Sequence, residues 1–111
     1  MKIAIHGLGR MGMQIARKLA ESGEHTVIAH NRHHEPIDEA VSYGAVKAYE
    51  KADVIREFGN DQVVLWIMLP DNVVDDQVAE WLTLLPQSSI IIDGGNSNFE
   101  MTQVLHEKVT A

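Results

Sequence analysis

Gly7-Leu8-Gly9-Arg10-Met11-Gly12 stands between a short apolar run, Ile3-Ala4-Ile5, and a segment with helical periodicity, Arg10 to Glu21. A G-x-G-x-x-G spacing in that strand–turn–helix setting is a dinucleotide-binding fingerprint. Each glycine has a mechanical task. Gly7 takes the tight turn off the strand, Gly9 removes a Cβ so that backbone approaches a pyrophosphate, and Gly12 lets the helix pack closely on the strand. The helix start then offers unpaired N–H groups and the positive end of its dipole to phosphate. Glycine-rich turns with a purely structural role share this spacing, so the rest of the chain has to support the reading.

Outward from the turn, Lys2 to His6 reads as the first strand. The helix over 10–21 carries Ile15 and Leu19 on one face and a flank of small residues, Gly12, Ala16 and Ala20, and Ser22-Gly23 closes it. His25 to His30 is the second strand. In a Rossmann unit the residue about 20 positions past the glycines chooses the cofactor, an acid holding the ribose 2′-OH and an Arg accepting a 2′-phosphate. No acid stands at this strand end; Asn31, Arg32, His33 and His34 follow one another. That favours NADP over NAD, with a solvated basic turn as the bland alternative. Either imidazole can assist a 2′-phosphate when protonated. Adjacent histidines with no completing ligand spacing do not make a metal site.

Pro36 to Tyr43 reads as a short helix stopped by Gly44, and Ala45 to Ala48 as a short third strand. Tyr49 to Phe58 is a brief helix with Ala52, Ile55 and Phe58 on one face. Asp61 to Leu69 is an apolar run of the kind buried on both faces of a parallel sheet. Pro70-Asp71-Asn72 breaks it, with Asn72 and Asp75 as a helix start. Val73 to Leu85 is a helix burying Val74, Val78, Trp81, Leu82 and Leu85, and Trp66 is most simply core as well. Ser89 to Asp93 is the fifth strand. Gly94-Gly95-Asn96-Ser97 is the turn after it, and Ser97 caps a last helix through Met101, Val104, Leu105 and Lys108, running to Ala111.

This alternation predicts an α/β fold, a Rossmann-type doubly wound parallel sheet of strand order 3-2-1-4-5, as one domain over 1–111. The glycine turn, Asn31-Arg32, Leu69-Pro70-Asp71 and Gly94 to Ser97 then share the carboxyl edge of the sheet, where ligands bind. Composition narrows the function. The net charge of −7, from 16 acids against 9 Lys and Arg, argues against a nucleic-acid surface and requires any bound anion to be held locally. With no cysteine there is no disulfide framework or thiolate chemistry. The longest apolar run, Val63 to Leu69, is too short to span a bilayer, and the N-terminus has no signal-peptide pattern; a cytoplasmic location is the expectation.

Gly7 to Gly12, Asn31-Arg32, Trp66-Ile67-Met68-Leu69-Pro70 and above all Asp93-Gly94-Gly95-Asn96-Ser97 resemble the N-terminal domain of 6-phosphogluconate dehydrogenase, in particular its shorter bacterial, YqeC-like branch. The wider family is the β-hydroxyacid dehydrogenases. The resemblance implies that Gly7, Leu8, Gly9, Arg10, Met11 and Gly12 hold the pyrophosphate, with Asn31, Arg32 and His33 at the adenosine ribose and its phosphate. Leu69, Pro70 and Asp71 fall at the nicotinamide side, where many members have Lys-Ala instead of Pro-Asp. Asn96 matches an Asn that reaches both nicotinamide ribose and substrate. An acid often ends the second strand in the shorter branch, so Asn31-Arg32 departs from it toward NADP.

The implied chemistry is oxidation of 6-phosphogluconate or a related sugar acid by hydride transfer to NADP, with decarboxylation, as in the pentose phosphate pathway. The family's general base is a Lys with an Asn and a Glu nearby, and Lys2, Lys18, Lys47, Lys51 and Lys108 match none of those positions. No catalytic residue is therefore expected within 1–111, and the substrate and helical C-terminal domains are expected to be absent, which makes the chain alone inactive. The family dimerises through that helical domain, so a homo-oligomer belongs to the full enzyme. Two alternatives stand beside this reading: a stand-alone NADP-binding module, and the cofactor domain of another β-hydroxyacid dehydrogenase.

Overall fold

The computed structural model describes residues 1–93 and 100–103. Strands β1 (Lys2–His6), β2 (Thr26–His30), β3 (Val46–Lys47), β4 (Val64–Ile67) and β5 (Ile90–Asp93) alternate with helices α1 (Arg10–Glu21), α2 (His34–Ser42), α3 (Lys51–Phe58) and α4 (Asp71–Leu84). All five strands are parallel, in the order β3-β2-β1-β4-β5, and β1 pairs with β2 in register from Lys2↔Thr26 to His6↔His30. This is the doubly wound sheet that the sequence predicts.

Strand pleating divides the core in two. Ile3, Ile5, Val27 and Ala29 meet Ala16 of α1 with Ile37 and Ala40 of α2 on one face. Ala4, Ile28, Leu65 and Ile67 meet Val54 and Phe58 of α3 with Val74 and Trp81 of α4 on the other. Strands buried on both faces give near-continuous apolar runs, which is why Ile3 to Ile5 and Val63 to Ile67 carry no polar alternation.

On α1 the small flank approaches the sheet, as its residues predict: Gly12 and Ala16 are buried, while Ile15 and Leu19 are partly so. The helix lies so close to β1 that a Cβ on Gly12 would overlap the Gly7 carbonyl oxygen. On α3 the buried residues are Val54 and Phe58, and Ala52 faces solvent, because the helix starts at Lys51 behind a reciprocal Glu50–Asp53 capping box. Helix α4 starts at Asp71 with Pro70 as its N-cap, so Asn72 lies inside it rather than capping it.

Helices α3 and α4 depart from the sequence reading in detail; a larger difference is at the sheet edge. Glu100–Gln103, expected within a helix, forms β6, which pairs antiparallel with β5 from Ile90↔Gln103 to Asp93↔Glu100. The open edge of β5 presents an unpaired row of backbone donors and acceptors, and a returning segment satisfies them. The expected turn at Gly94, Gly95, Asn96 and Ser97, and the rest of the expected helix (Val104, Leu105, Lys108), lie outside the described residues. Among the described residues no helix is long and apolar enough to cross a membrane, and no three side chains group as metal ligands.

Candidate dinucleotide site

The carboxyl ends of β1, β2 and β4 open into a cleft of two adjoining cavities. The first, about 370 Å³, is lined by Gly7, Leu8, Gly9, Arg10, Met11 and Gly12, together with Asn31, Met68, Leu69 and Pro70. Gly7 turns here with φ +108°, and its N–H donates to the His30 carbonyl oxygen at 3.0 Å. A Cβ at Gly7 would press into the Met68 backbone, so only glycine fits. At Gly9 a Cβ would meet nothing within 4 Å, since the residue faces the cavity. Gly9 is also the N-cap of α1, which has no side-chain cap and no acid in its first turn. The positive end of α1 is thus uncompensated by side chains and opens onto space, as an anion site requires.

Asn31 ties this turn to the end of β2. Its Oδ1 accepts from the Leu8 N–H at 2.9 Å, and its Nδ2 donates to the His33 carbonyl oxygen at 3.1 Å. Both ends of the carboxamide are used within the two loops. Asn31 and Leu69 border both cavities, which makes the cleft continuous.

The second cavity, about 390 Å³, extends from Asn31 and Arg32 over the face covered by α3 and α4. Arg32 is exposed at its mouth and makes no ion pair among the described residues. His34 stacks on Tyr49 with ring centroids 4.2 Å apart, and Val73 and Gln77 of α4 face the same space. The Tyr49 hydroxyl donates to Asp38, and the bond raises its pKa by favouring the protonated phenol.

Two buried histidines form the floor. His6 and His30, 3% and 5% exposed, lie side by side at the ends of β1 and β2 with ring centroids 4.6 Å apart. The Trp81 indole N–H donates to His6 Nδ1 at 2.9 Å, which leaves the proton of a neutral ring on Nε2. Burial, then the neighbouring His30 and Lys51, push the His6 pKa down to about 3. His30 is also lowered, chiefly by burial; its Nδ1 lies 2.8 Å from the Ala48 carbonyl oxygen and so carries the donated proton. Lys51, at the cavity wall, pairs with Glu80 at 2.9 Å.

The fold therefore brings Gly7 to Gly12, Asn31, Arg32, Leu69 and Pro70 to one cleft. His33 is exposed and does not line it; His34 does. Asp71 opens α4 beside the cleft, and Asn96 lies outside the described residues. Sequence reasoning passed over His6, His30, Tyr49, Lys51, Val73 and Gln77. One signal was in reach: a polar ring ends each of two apolar strands at the ligand edge.

A sequence model of the NAD binding domain of 6-phosphogluconate dehydrogenase matches residues 2–111. A decarboxylating, NAD(+)-dependent 6-phosphogluconate dehydrogenase of Haloferax volcanii is 33% identical over 101 residues, covering 90% of this chain and 33% of the relative. The YqeC protein of Bacillus subtilis is 31% identical over 103 residues, with the same coverage of each chain. A decarboxylating 6-phosphogluconate dehydrogenase of Haemophilus influenzae is 32% identical over 106 residues, 90% of this chain and 22% of that one. The chain thus spans about a third or less of the length of these relatives.

Proposed function

Because the chain belongs to the family of the NAD-binding domain of 6-phosphogluconate dehydrogenase, we propose that it is the cofactor domain of such an oxidoreductase and takes NADP in preference to NAD. Relatives named NAD(+)-dependent occur in the family, so membership alone does not choose the cofactor. The observation that carries the choice is Arg32: a guanidinium without an ion pair among the described residues, just past the end of β2, on the cavity next to the glycine turn, with no acid at that strand end.

In this reading the pyrophosphate lies over Gly9 and the start of α1, and the adenosine half extends past Asn31 into the larger cavity. The ribose 2′-phosphate meets Arg32 at the mouth. Asn31 supports this indirectly. Its carboxamide is committed to the loops, so it positions the turn and adds no negative charge beside a phosphate. His34, not His33, is the imidazole placed to assist. The nicotinamide half runs the other way, past Leu69 and Pro70, and Asn96 is assigned to its ribose on the family resemblance of the Asp93 to Ser97 motif alone. Bound there, the nicotinamide supplies the hydride acceptor for oxidation of 6-phosphogluconate or a related sugar acid in the full enzyme.

Titration with NADPH and NADH tests the proposal. A charge-assisted phosphate–Arg contact at an exposed position contributes about 1.5 kcal/mol, roughly tenfold in affinity. NADPH should bind about that much tighter, and Arg32→Ala should remove most of the difference while leaving NADH binding close to wild type. A preference that survives Arg32→Ala would assign the discrimination elsewhere.

A further inference from the structure

Met11 is the second residue of α1 and is 62% exposed, on the smaller cavity of the cleft. The apolar contact of the glycine turn is made instead by Leu8, which is buried in the core. An unbranched thioether in solvent at this place adds little to packing and is open to oxidants. The chain has five methionines and no cysteine, so its sulfur chemistry rests on thioethers. Of the others with described side chains, Met13 and Met68 are partly buried against the core, and Met1 is exposed at the opposite end of β1. Among these, only Met11 is both exposed and on the cavity. Its surroundings are donors. The first bond of α1 runs from the Met13 N–H to the Gly9 carbonyl oxygen at 2.8 Å, so the N–H groups of Arg10, Met11 and Gly12 precede the helical ladder. Arg10 is the one charged side chain lining this cavity, the Asn31 carboxamide is committed to the loops, and the other side chains are apolar. A thioether is a weak acceptor and leaves these donors to an anion.

We propose that Met11 is an oxidation site through which a peroxide lowers the affinity of this chain for its dinucleotide. The inference rests on the reading above that puts the pyrophosphate over this turn. The sulfur lone pair attacks one oxygen of hydrogen peroxide, and the S–O bond forms as the O–O bond breaks. The departing hydroxide takes the proton from the transferred oxygen and leaves as water. Sulfur loses two electrons and the peroxide gains them. The product, methionine sulfoxide, turns a flexible apolar tip into a polar one and can be reduced back. Its oxygen is an acceptor with no donor beside it. Tethered to the first turn of α1, that oxygen competes with phosphate for the free N–H groups and for Arg10.

The experiment treats the chain with dilute hydrogen peroxide, follows each methionine by peptide mass spectrometry, and titrates with NADPH once the peroxide is removed. Met11 should oxidise along with Met1 and ahead of Met13 and Met68. The oxidised chain should bind NADPH about fivefold more weakly, the effect of about one competing hydrogen bond, with its melting temperature retained. Methionine sulfoxide reductases, one for each epimer, should restore the affinity. Met11→Leu, compared with its own untreated sample, should lose nothing on treatment even though its Met1 is oxidised. Bound NADP should slow the oxidation of Met11 and leave that of Met1 unchanged. Met11→Gln carries a fixed acceptor of similar length and should bind NADPH more weakly than Met11→Leu without any peroxide, which decides the matter should the oxidised chain fold poorly. Oxidation of Met11 no faster than that of Met68, unchanged affinity once Met11 is oxidised, or an equal loss in treated Met11→Leu overturns the role of Met11 and leaves the pyrophosphate reading standing. No binding of NADPH by untreated wild type overturns both.

Discussion

Gly9 and Gly12 belong to one fingerprint but answer to different constraints. The space a Cβ would take at Gly12 is filled by the Gly7 carbonyl oxygen, whereas at Gly9 it is empty. Gly9 is also in extended backbone, φ −70°, which any residue adopts. Gly12→Ala should therefore act on the fold, forcing α1 off β1 at a cost of about 1–3 kcal/mol. Gly9→Val should act on the ligand, leaving the melting temperature near wild type while NADPH binding is lost. Thermal melts and titrations on both variants check the pair. Equal NADPH affinity for wild type and Gly9→Val would remove the pyrophosphate from this turn.

At the scale of elements, the seam between the ends of β1 and β2 and helix α4 is closed by an uncharged polar cluster, His6, His30 and Trp81. Its titration sets a pH dependence. An unfolded-chain histidine has a pKa near ~6.5, and His6 in the fold is held at about 3 by burial, His30 and Lys51. The unfolded chain thus binds more protons across that window, so stability is full above the upper value and declines as pH falls toward the lower one. Between pH ~7 and pH ~5 the loss from His6 is about 2 kcal/mol, and the lowered pKa of His30 acts in the same direction. His6→Gln keeps an acceptor for the Trp81 indole and does not titrate, so its melting temperature should fall less steeply over this range. Parallel slopes for the two proteins would show that His6 is not buried in neutral form.

For the whole molecule, a charge of −7 has to coexist with an anion site. The fold manages this with local groups: the uncapped start of α1, Arg10 and Arg32 line the cleft. Groups that could move a proton there are poorly suited to it. His6 is too weakly basic, and Lys51 is tied to Glu80. Oxidising a sugar hydroxyl needs a positioned base, which typically contributes ~10²–10⁴-fold. We expect this chain to bind NADPH yet not to turn over 6-phosphogluconate by itself. The assay follows NADPH formation with excess sugar acid. Turnover above background that Asn96→Ala abolishes would place the catalytic set within these residues.

The sequence by itself determined the doubly wound sheet, its strand order and the glycine turn, because these depend on short-range signals: apolar runs, helical periods and residues that stop them. It also placed Arg32 at the ligand edge, since every strand end of a parallel sheet lies there. Only the tertiary structure decided where Glu100–Gln103 pairs and that His34 rather than His33 lines the cleft. It alone joined His6 to Trp81 across 75 positions and brought Gln77 to the cavity that Arg32 lines. Those outcomes turn on distances between elements, on how closely a helix approaches a sheet and which edge lacks a partner, and no local pattern of residues encodes them.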